Sequence, residues 1–131
     1  MHLLQRIGYV VVFVTKWDEA MRFYADVLGI EVVQRRDEEG FARFRFPQAG
    51  PDLLIEQVDN PEAVQAHDLV GHFVGMSVTV GDIGEAYERL SEKGVRFEGP
   101  PSRQSWGEML THFYDPDGNM WSLVEATGAN T

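Results

Sequence analysis

The sequence predicts an α+β fold made of two βαβββ repeats. Three observations support this prediction. The same order of strand and helix patterns occurs twice, each helix pattern starts at a capping residue and ends at a glycine, and hydrophobic residues make up 44% of the 131 residues. A single βαβββ unit leaves one face of its sheet uncovered. The two units are therefore expected to pair their sheets around a shared core and cavity.

The first repeat covers about residues 7–58 and opens with a β-branched and aromatic run, which is typical of a buried strand. A helix is predicted next, because Thr15 and Asp18 have the spacing of a capping box and Gly29 follows the last turn. Three more strands follow, separated by an acidic turn and a turn that contains proline. The strands of this repeat are predicted over Ile7–Val14, Ile30–Arg35, Phe41–Phe46 and Leu53–Val58.

The second repeat covers about residues 73–125 and has the same order. Its helix is predicted to begin at the cap Asp82, with Glu85 in the box position, and to end at Gly94. A strong turn at Asp115–Asn119 precedes the last strand. The strands are predicted over Phe73–Val80, Val95–Glu98, Met109–Tyr114 and Met120–Glu125, with a loop at Pro100–Ser102. Residues 59–72 are interpreted as the linker between the two modules of one domain, residues 1–131.

The charge of the chain limits the classes of partner. Asp and Glu number 21 against 11 Lys and Arg, so the net charge is −10. Such a protein repels nucleic-acid phosphates and anionic membrane surfaces and attracts cationic partners, although an acidic surface also simply keeps proteins apart. There is no cysteine, no apolar run long enough for a membrane helix and no secretory signal pattern, so a cytoplasmic protein is expected.

Several short motifs are placed in order along the two repeats. They are Phe23-Tyr24 and Leu28-Gly29 in the first helix and Asp115-Pro116-Asp117-Gly118-Asn119 before the last strand. With these motifs the chain, from about Ile7 to about Glu125, resembles the vicinal oxygen chelate superfamily. That group contains glyoxalase I, extradiol dioxygenases, methylmalonyl-CoA epimerase and the bleomycin- and fosfomycin-resistance proteins. The resemblance implies curved mixed sheets that form a ligand cup, with the helices on the outside.

The resemblance also implies where a metal would be held. Family enzymes bind a divalent metal through side chains on four strands, and these positions fall on Tyr9, Glu56, Gly75 and Ser122. A tyrosine phenol is a poor ligand for Zn²⁺ or Mg²⁺, glycine has no side chain and serine is a weak neutral donor. One carboxylate does not make a Lewis-acid site. We therefore expect no metal and no other cofactor.

A displaced metal site is the alternative. It would combine Glu56 with His72, His112 and His67. His112 is expected opposite Ser122 across the last hairpin, and therefore on the cup face. Without a metal, Glu56 and His112 remain candidates for acid–base catalysis. His112 is equally well interpreted as a polar residue that lines the cup and bonds to a neighbour.

Alternation along the strands sorts the side chains into two faces. The candidate ligand-binding residues on the cup face, together with one loop residue, are Tyr9, Phe13, Arg43, Leu54, Ser77, Trp106, Leu110, Tyr114, Met120 and Ser122. The residues expected to pack beneath the helices are Val10, Val12, Phe44, Phe46, Met76, Val78, Phe113, Trp121 and Leu123. Glu56 and Arg43 are expected to form an internal ion pair. Trp106 is a better candidate than Trp17 for a surface on which a ligand stacks.

Two classes of function agree with these residues. The first is a metal-free binding protein of the bleomycin-resistance type, which sequesters a small molecule that is aromatic or cationic. The second is a lyase or isomerase of the glyoxalase or epimerase type, which works with a displaced metal or through Glu56 and His112. The missing ligands favour the first class. A homodimer is expected, because a lone unit would expose an apolar face.

Overall fold

A computed structural model describes residues 2–59 and 68–126. The chain divides into two compact units, Met1–Val70 and Gly71–Thr131. Each unit contains one sheet, so the mixed α+β fold predicted from the sequence is confirmed. Most of the predicted linker, including His67, lies outside the described residues. Among the described residues, no helix is both long and apolar enough to cross a membrane.

The first unit contains one helical segment and a sheet of four strands in the order β1-β4-β3-β2. β1 and β4 are parallel, and the other neighbours are antiparallel. The strands are β1 (Tyr9–Val14), β2 (Glu31–Arg36), β3 (Phe41–Arg45) and β4 (Asp52–Gln57), and the helix α1 (Trp17–Met21) continues as a π-helical segment, Arg22–Val27. All strands lie within two residues of the predicted bounds.

The first helix ends before Gly29, as predicted, but its N-terminal cap differs from the prediction. α1 begins at Trp17 with Lys16 in the N-cap position and no side-chain hydrogen bond, so the predicted capping box at Thr15 is wrong. Instead, Trp17 is buried and its indole Nε1 donates to Asp37 Oδ1 at 3.0 Å, which ties the first turn to the segment after β2. The π-helical segment places both Phe23 and Tyr24 in the interior. The sequence pattern predicts an ordinary helix here and does not indicate the π-helical geometry.

The helical segment covers one face of the first sheet. Tyr24 is fully buried, and its ring lies 6.1 Å from that of Phe44 on β3. Because side chains alternate along each strand, the residues that share this face with Phe44 form the core of the unit. They are Val12, Val14, Ala42, Leu53 and Ile55, all buried. Val10 and Phe46, which were predicted for the same face, are half-buried.

The second unit contains a helix and a five-stranded sheet in the order β5-β9-β8-β6, with β7 paired to β8. β5 and β9 are parallel. The elements are β5 (Phe73–Val80), α2 (Ile83–Glu92), β6 (Arg96–Phe97), β7 (Ser102–Arg103), β8 (Met109–Tyr114) and β9 (Met120–Glu125). The short strand β7 begins where a loop was predicted. Asp82 caps α2 as predicted, since its carboxylate accepts from the Glu85 amide at 3.0 Å.

A chain of aromatic rings joins α2 to its sheet. Tyr87 on the helix lies 4.7 Å from Phe97, which contacts Phe113, and Phe113 stacks on Trp121 at 6.2 Å. Phe113, Trp121 and Leu123 are buried, as predicted for the helix-facing side. Met76 and Val78 on β5 are half-buried. α2 therefore covers one face of this sheet and leaves the other face to the candidate site residues.

Candidate functional site

Five predicted site residues of the first unit lie on the sheet face opposite the helix. Tyr9 is paired with Asp52, Phe13 with Glu56, and Arg43 with Leu54, so the side chains of these positions share one face. Glu56 and Phe13 are half-buried, whereas Tyr9 is 51% exposed. The strand pairing thus brings Tyr9, Phe13, Arg43, Leu54 and Glu56 together on a single surface.

A cluster of two arginines around one carboxylate dominates the charge on this surface. Arg43 Nε donates to Asp52 Oδ2 at 2.6 Å, and Arg45 donates from Nε and Nη2 to the two oxygens at 2.9 and 2.8 Å. Asp52 is buried. Hydrogen bonds from Arg45 and Arg43 hold the pKa of Asp52 well below its usual range, and the same contact with Asp52 raises the pKa of Arg45.

The predicted ion pair between Arg43 and Glu56 is therefore wrong. By the sequence pattern, Asp52 lies just before the strand predicted over Leu53–Val58. It is instead the first residue of β4, directly beside the arginines of β3. Glu56 lies four residues further along β4, opposite Phe41 and Phe13. Within the described ranges it forms no ion pair.

Arg43 also contacts an aromatic ring. Its guanidinium carbon lies 5.5 Å from the centre of the Tyr9 ring. This distance is within the range of a cation–π interaction, which fixes the position of the ring. The guanidinium thus covers one side of the Tyr9 ring, and about half of the Tyr9 surface remains exposed.

Six predicted site residues of the second unit also share the face opposite their helix. Ser122 on β9 is paired with His112 on β8 and with Ser77 on β5. His112 opposite Ser122 is the pairing that the turn at Asp115–Asn119 predicted. The neighbouring positions of this face are Leu110, Tyr114 and Met120, which are half-buried.

His112 has an acidic partner that the sequence analysis missed. Its Nδ1 lies 2.9 Å from Glu98 Oε2, and the Glu98 amide donates to the His112 carbonyl at 2.9 Å. The imidazole and the Phe73 ring form an edge-to-face contact, with 5.9 Å between the ring centres. Glu98 was predicted as the last residue of a strand, but nothing in the sequence indicated which strand that residue would pair with.

A cleft lies beside this histidine. Its volume is about 340 Å³, and it is open to solvent. Glu98 and His112 line it together with Gly99, Pro100, Ser102, Gln104, Leu110 and Thr111. The lining is mainly polar, with Leu110 as its aliphatic side chain, and the Thr111 hydroxyl already donates to the Gly99 carbonyl.

The two tryptophans considered for ligand stacking have different surroundings. Trp106 is 69% exposed in the turn between β7 and β8, and its Nε1 donates to Glu108 at 3.2 Å. Trp17 is 7% exposed and is held by Asp37. Of these two tryptophans, Trp106 is the one with an exposed ring surface.

The residues at the metal positions implied by the family resemblance do not fit a metal. Tyr9 and Ser122 offer weak donors, and Glu56 is a single carboxylate. Gly75 has a φ of +74° and lies in a stretch of β5 where the register with β9 shifts. The backbone at this position thus differs from a regular strand, in addition to having no side chain.

The displaced site finds no support within either unit. Glu56 belongs to the first unit, and His72 and His112 belong to the second, while His67 lies outside the described residues. His72 is exposed, with Nδ1 3.0 Å from the Phe73 carbonyl. Among the described residues, no three His, Cys, Asp or Glu side chains come together in a group that could hold a metal ion.

The sequence matches the profile of the Glyoxalase/Bleomycin resistance protein/Dioxygenase superfamily over residues 6–123. The protein belongs to this superfamily, and the resemblance drawn from the two repeats is confirmed.

Three similar proteins represent the range of the superfamily. The crystal structure of a member from Sphaerobacter thermophilus is 29% identical, with a TM-score of 0.78 over 95% of this chain and 100% of that chain. A probable chloroplastic lactoylglutathione lyase from Arabidopsis thaliana is 28% identical over 127 residues, which are 92% of this chain and 36% of the lyase. TnmS3, an antibiotic binding protein from Streptomyces, shares the fold at 20% identity, with a TM-score of 0.76 over 97% of this chain and 100% of that chain.

Proposed function

We propose that this protein binds a small organic ligand without a resident metal and without converting it. The observation that carries the proposal is the chemistry at Tyr9, Gly75 and Ser122, which occupy three of the four metal positions implied by the family. The left-handed backbone at Gly75 supports it, because this position is unlike a strand residue that presents a ligand to a metal. Binding proteins of this fold exist, as the antibiotic binding protein TnmS3 illustrates.

The chemistry of the two surfaces supports an aromatic or cationic ligand. Tyr9 offers one side of its ring beside Phe13, and Trp106 offers an exposed ring in the second unit. A flat ring system gains free energy from such contacts by burying apolar area and by stacking. The net charge of −10 attracts a cationic ligand and raises its rate of capture at low salt.

Binding is tested by a thermal-shift and tryptophan-fluorescence screen of aromatic antibiotics, dyes and metabolites. Mass spectrometry then identifies whether the recovered compound is unchanged. Elemental analysis of untagged protein is expected to show no stoichiometric Zn, Ni, Mn or Fe. A near-equimolar metal that is lost in Glu56→Ala would contradict the metal-free proposal, and Glu108→Ala serves as a control that removes a carboxylate of the second unit.

A lyase or isomerase of the glyoxalase type is the second candidate. The pairing of His112 with Glu98 favours it, because a carboxylate that orients an imidazole is a common arrangement for proton transfer. The similarity to a probable lactoylglutathione lyase agrees with this candidate. Turnover of an oxo-acid or thioester compound that is abolished by His112→Ala, with a bell-shaped pH–rate profile, would establish the enzyme and contradict the binding protein.

We propose further that the protein acts as a cytoplasmic homodimer. The absence of cysteine agrees with a reducing compartment. Large apolar side chains that are exposed in the single chain, among them Tyr9, Phe73 and Trp106, agree with a partner subunit.

A further inference from the structure

The second sheet carries a row of polar side chains that crosses β5, β9 and β8 and ends at the residue directly after β6. Ser77 on β5 is paired with Ser122 on β9, Ser122 is paired with His112 on β8, and Glu98 directly after β6 bonds to His112. Neighbouring strands lie about 4.8 Å apart, so the row extends for about 14 Å. We call Ser77, Ser122, His112 and Glu98 the polar row.

Apolar side chains flank the polar row on both sides. On one side lie Tyr114, Met120 and Phe73, which are paired across β8, β9 and β5. On the other side lie Leu110 and Val124, which are paired across β8 and β9, and Thr79 of β5, which is paired with Val124 and adds a hydroxyl at the end of this line. A compound lying on this face therefore meets one line of hydrogen-bonding groups between two apolar lines, and this arrangement selects a flat apolar body with polar atoms along one axis.

Glu98 determines which ring nitrogen of His112 carries the proton in the neutral imidazole. A carboxylate only accepts hydrogen bonds, so in the 2.9 Å contact Nδ1 is the donor. In the neutral ring Nε2 then has no proton and is an acceptor. Among the described residues, Nε2 of His112 and the hydroxyls of Ser77 and Ser122 have no hydrogen-bond partner. These three groups are available to a ligand.

We infer that the polar row binds flat compounds that carry a phenol-type hydroxyl, and that this hydroxyl donates to Nε2 of His112. The inference rests on the proposed binding function and names its ligand class. The carboxylate of Glu98 and the net charge of −10 disfavour an anion at the row itself. A positive group, the guanidinium of Arg96, lies beside the row, 4.9 Å from the centre of the Tyr114 ring. Glu98 is a positioning residue, because it acts on the ligand through the tautomer of His112.

The test uses three naphthalene probes with the full chain, followed by ¹⁵N NMR. 2-Naphthol offers the hydroxyl, 2-methoxynaphthalene lacks the proton, and 2-naphthoate carries a negative charge. We expect 2-naphthol to bind about tenfold more tightly than either of the others, as one hydrogen bond to a preorganised acceptor would give. The largest amide shifts are expected around His112 and Ser122.

Variants separate the polar row from its surroundings. His112→Phe and Ser122→Ala are expected to reduce the preference for 2-naphthol to less than threefold. Thr79→Val, on the same face of β5 two residues beyond the row, is the matched control and is expected to keep the preference. Glu98→Ala is expected to mix the tautomers of His112 in long-range ¹H–¹⁵N spectra, and Glu98→Gln, which still offers an acceptor, is expected to restore the Nδ1–H form.

The outcomes distinguish the inference from the function on which it rests. Equal binding of 2-naphthol and 2-methoxynaphthalene, amide shifts confined to the first unit, or no saturable shift at millimolar probe each overturn the polar row as a phenol site. None of these outcomes removes the proposed binding function, which the wider ligand screen tests. Binding of 2-naphthol that requires added Zn²⁺ contradicts the metal-free function itself.

Discussion

The backbone at Gly75 differs from that of a strand residue that presents a side chain to a metal. Its φ is +74°, and it lies between Phe73 and Ser77, where the register of β5 with β9 shifts. An L-residue placed there must adopt the left-handed conformation, which costs about 1–2 kcal/mol. A Cβ at Gly75 would meet no heavy atom within 4 Å, so no steric clash adds to this cost. We expect Gly75→Ala to lower the free energy of unfolding by about 1–2 kcal/mol.

Urea denaturation followed by tryptophan fluorescence measures this loss. With an m-value of about 2 kcal/mol/M, the midpoint should fall by about 0.5–1 M. Gly81→Ala is the matched control, since Gly81 follows the same strand, has no positive φ and would also place its Cβ in open space. That variant should be as stable as the wild type or slightly more stable. Equal midpoints for the two variants would refute the requirement for a left-handed residue at Gly75.

The same strain applies to an attempt to restore the family's metal position. Gly75→His should lose as much stability as Gly75→Ala, because the cost comes from the backbone and not from the side chain. It should also fail to raise the affinity for Zn²⁺ in a calorimetric titration. A gain of tenfold or more in Zn²⁺ affinity would show that the strand still presents this position to a metal.

Three further predictions concern charge, aromatic residues and assembly. Arg45 and Arg43 lower the pKa of Asp52 in the folded state. The Asp52 carboxylate therefore contributes stability above the unfolded pKa of about 3.9, and this contribution is lost as the pH falls from there toward the lower pKa of the folded state. Asp52→Asn should be less stable at pH 7 and should lose less stability between pH 5 and pH 2 in urea titrations. Trp17→Ala should lower the free energy of unfolding by about 3 kcal/mol because the ring is buried, whereas Trp106→Ala should change it by less than about 0.5 kcal/mol. When affinity is measured on folded protein, Trp106→Ala should weaken ligand binding more than Trp17→Ala does. Light scattering at micromolar concentration should give about twice the chain mass of 14.8 kDa, and a monomer at all concentrations would contradict the homodimer.

Local patterns in the sequence were sufficient to predict most of the strands and turns of the fold. The turn at Asp115–Asn119 fixes where β8 ends and β9 begins, so its residues also fix the register of the hairpin and place His112 opposite Ser122. The cap at Asp82 is equally local, because its carboxylate accepts from an amide three residues away. These contacts depend on residues close in sequence, and the pattern of residue types therefore predicts them.

The parts of the site that were missed depend on contacts between distant segments. Glu98 meets His112 only because β6 pairs with β8, and no tight turn joins these two strands and sets their register. Asp52 reaches Arg43 and Arg45 across a connection whose own residues favour a turn at Asp52. In both cases the sequence provides the charges, while the strand pairing decides which charges meet.

The cluster around Asp52 and the hydrogen bond between His112 and Glu98 also explain why charge alone is a poor guide to the ligand. The chain has a large negative excess, yet on the first sheet Asp52 is paired with two arginines, and on the second sheet Glu98 is paired with His112. Asp52 and Glu98 are thus already engaged within the protein, whereas Glu56 on the first surface forms no ion pair among the described residues. Selectivity must come mainly from apolar area and from the few free hydrogen-bonding groups, and these favour an uncharged flat compound at close range. The overall negative charge then acts on the approach of the ligand, and its effect on the rate of capture should disappear at high salt while the preference for a hydroxyl group persists.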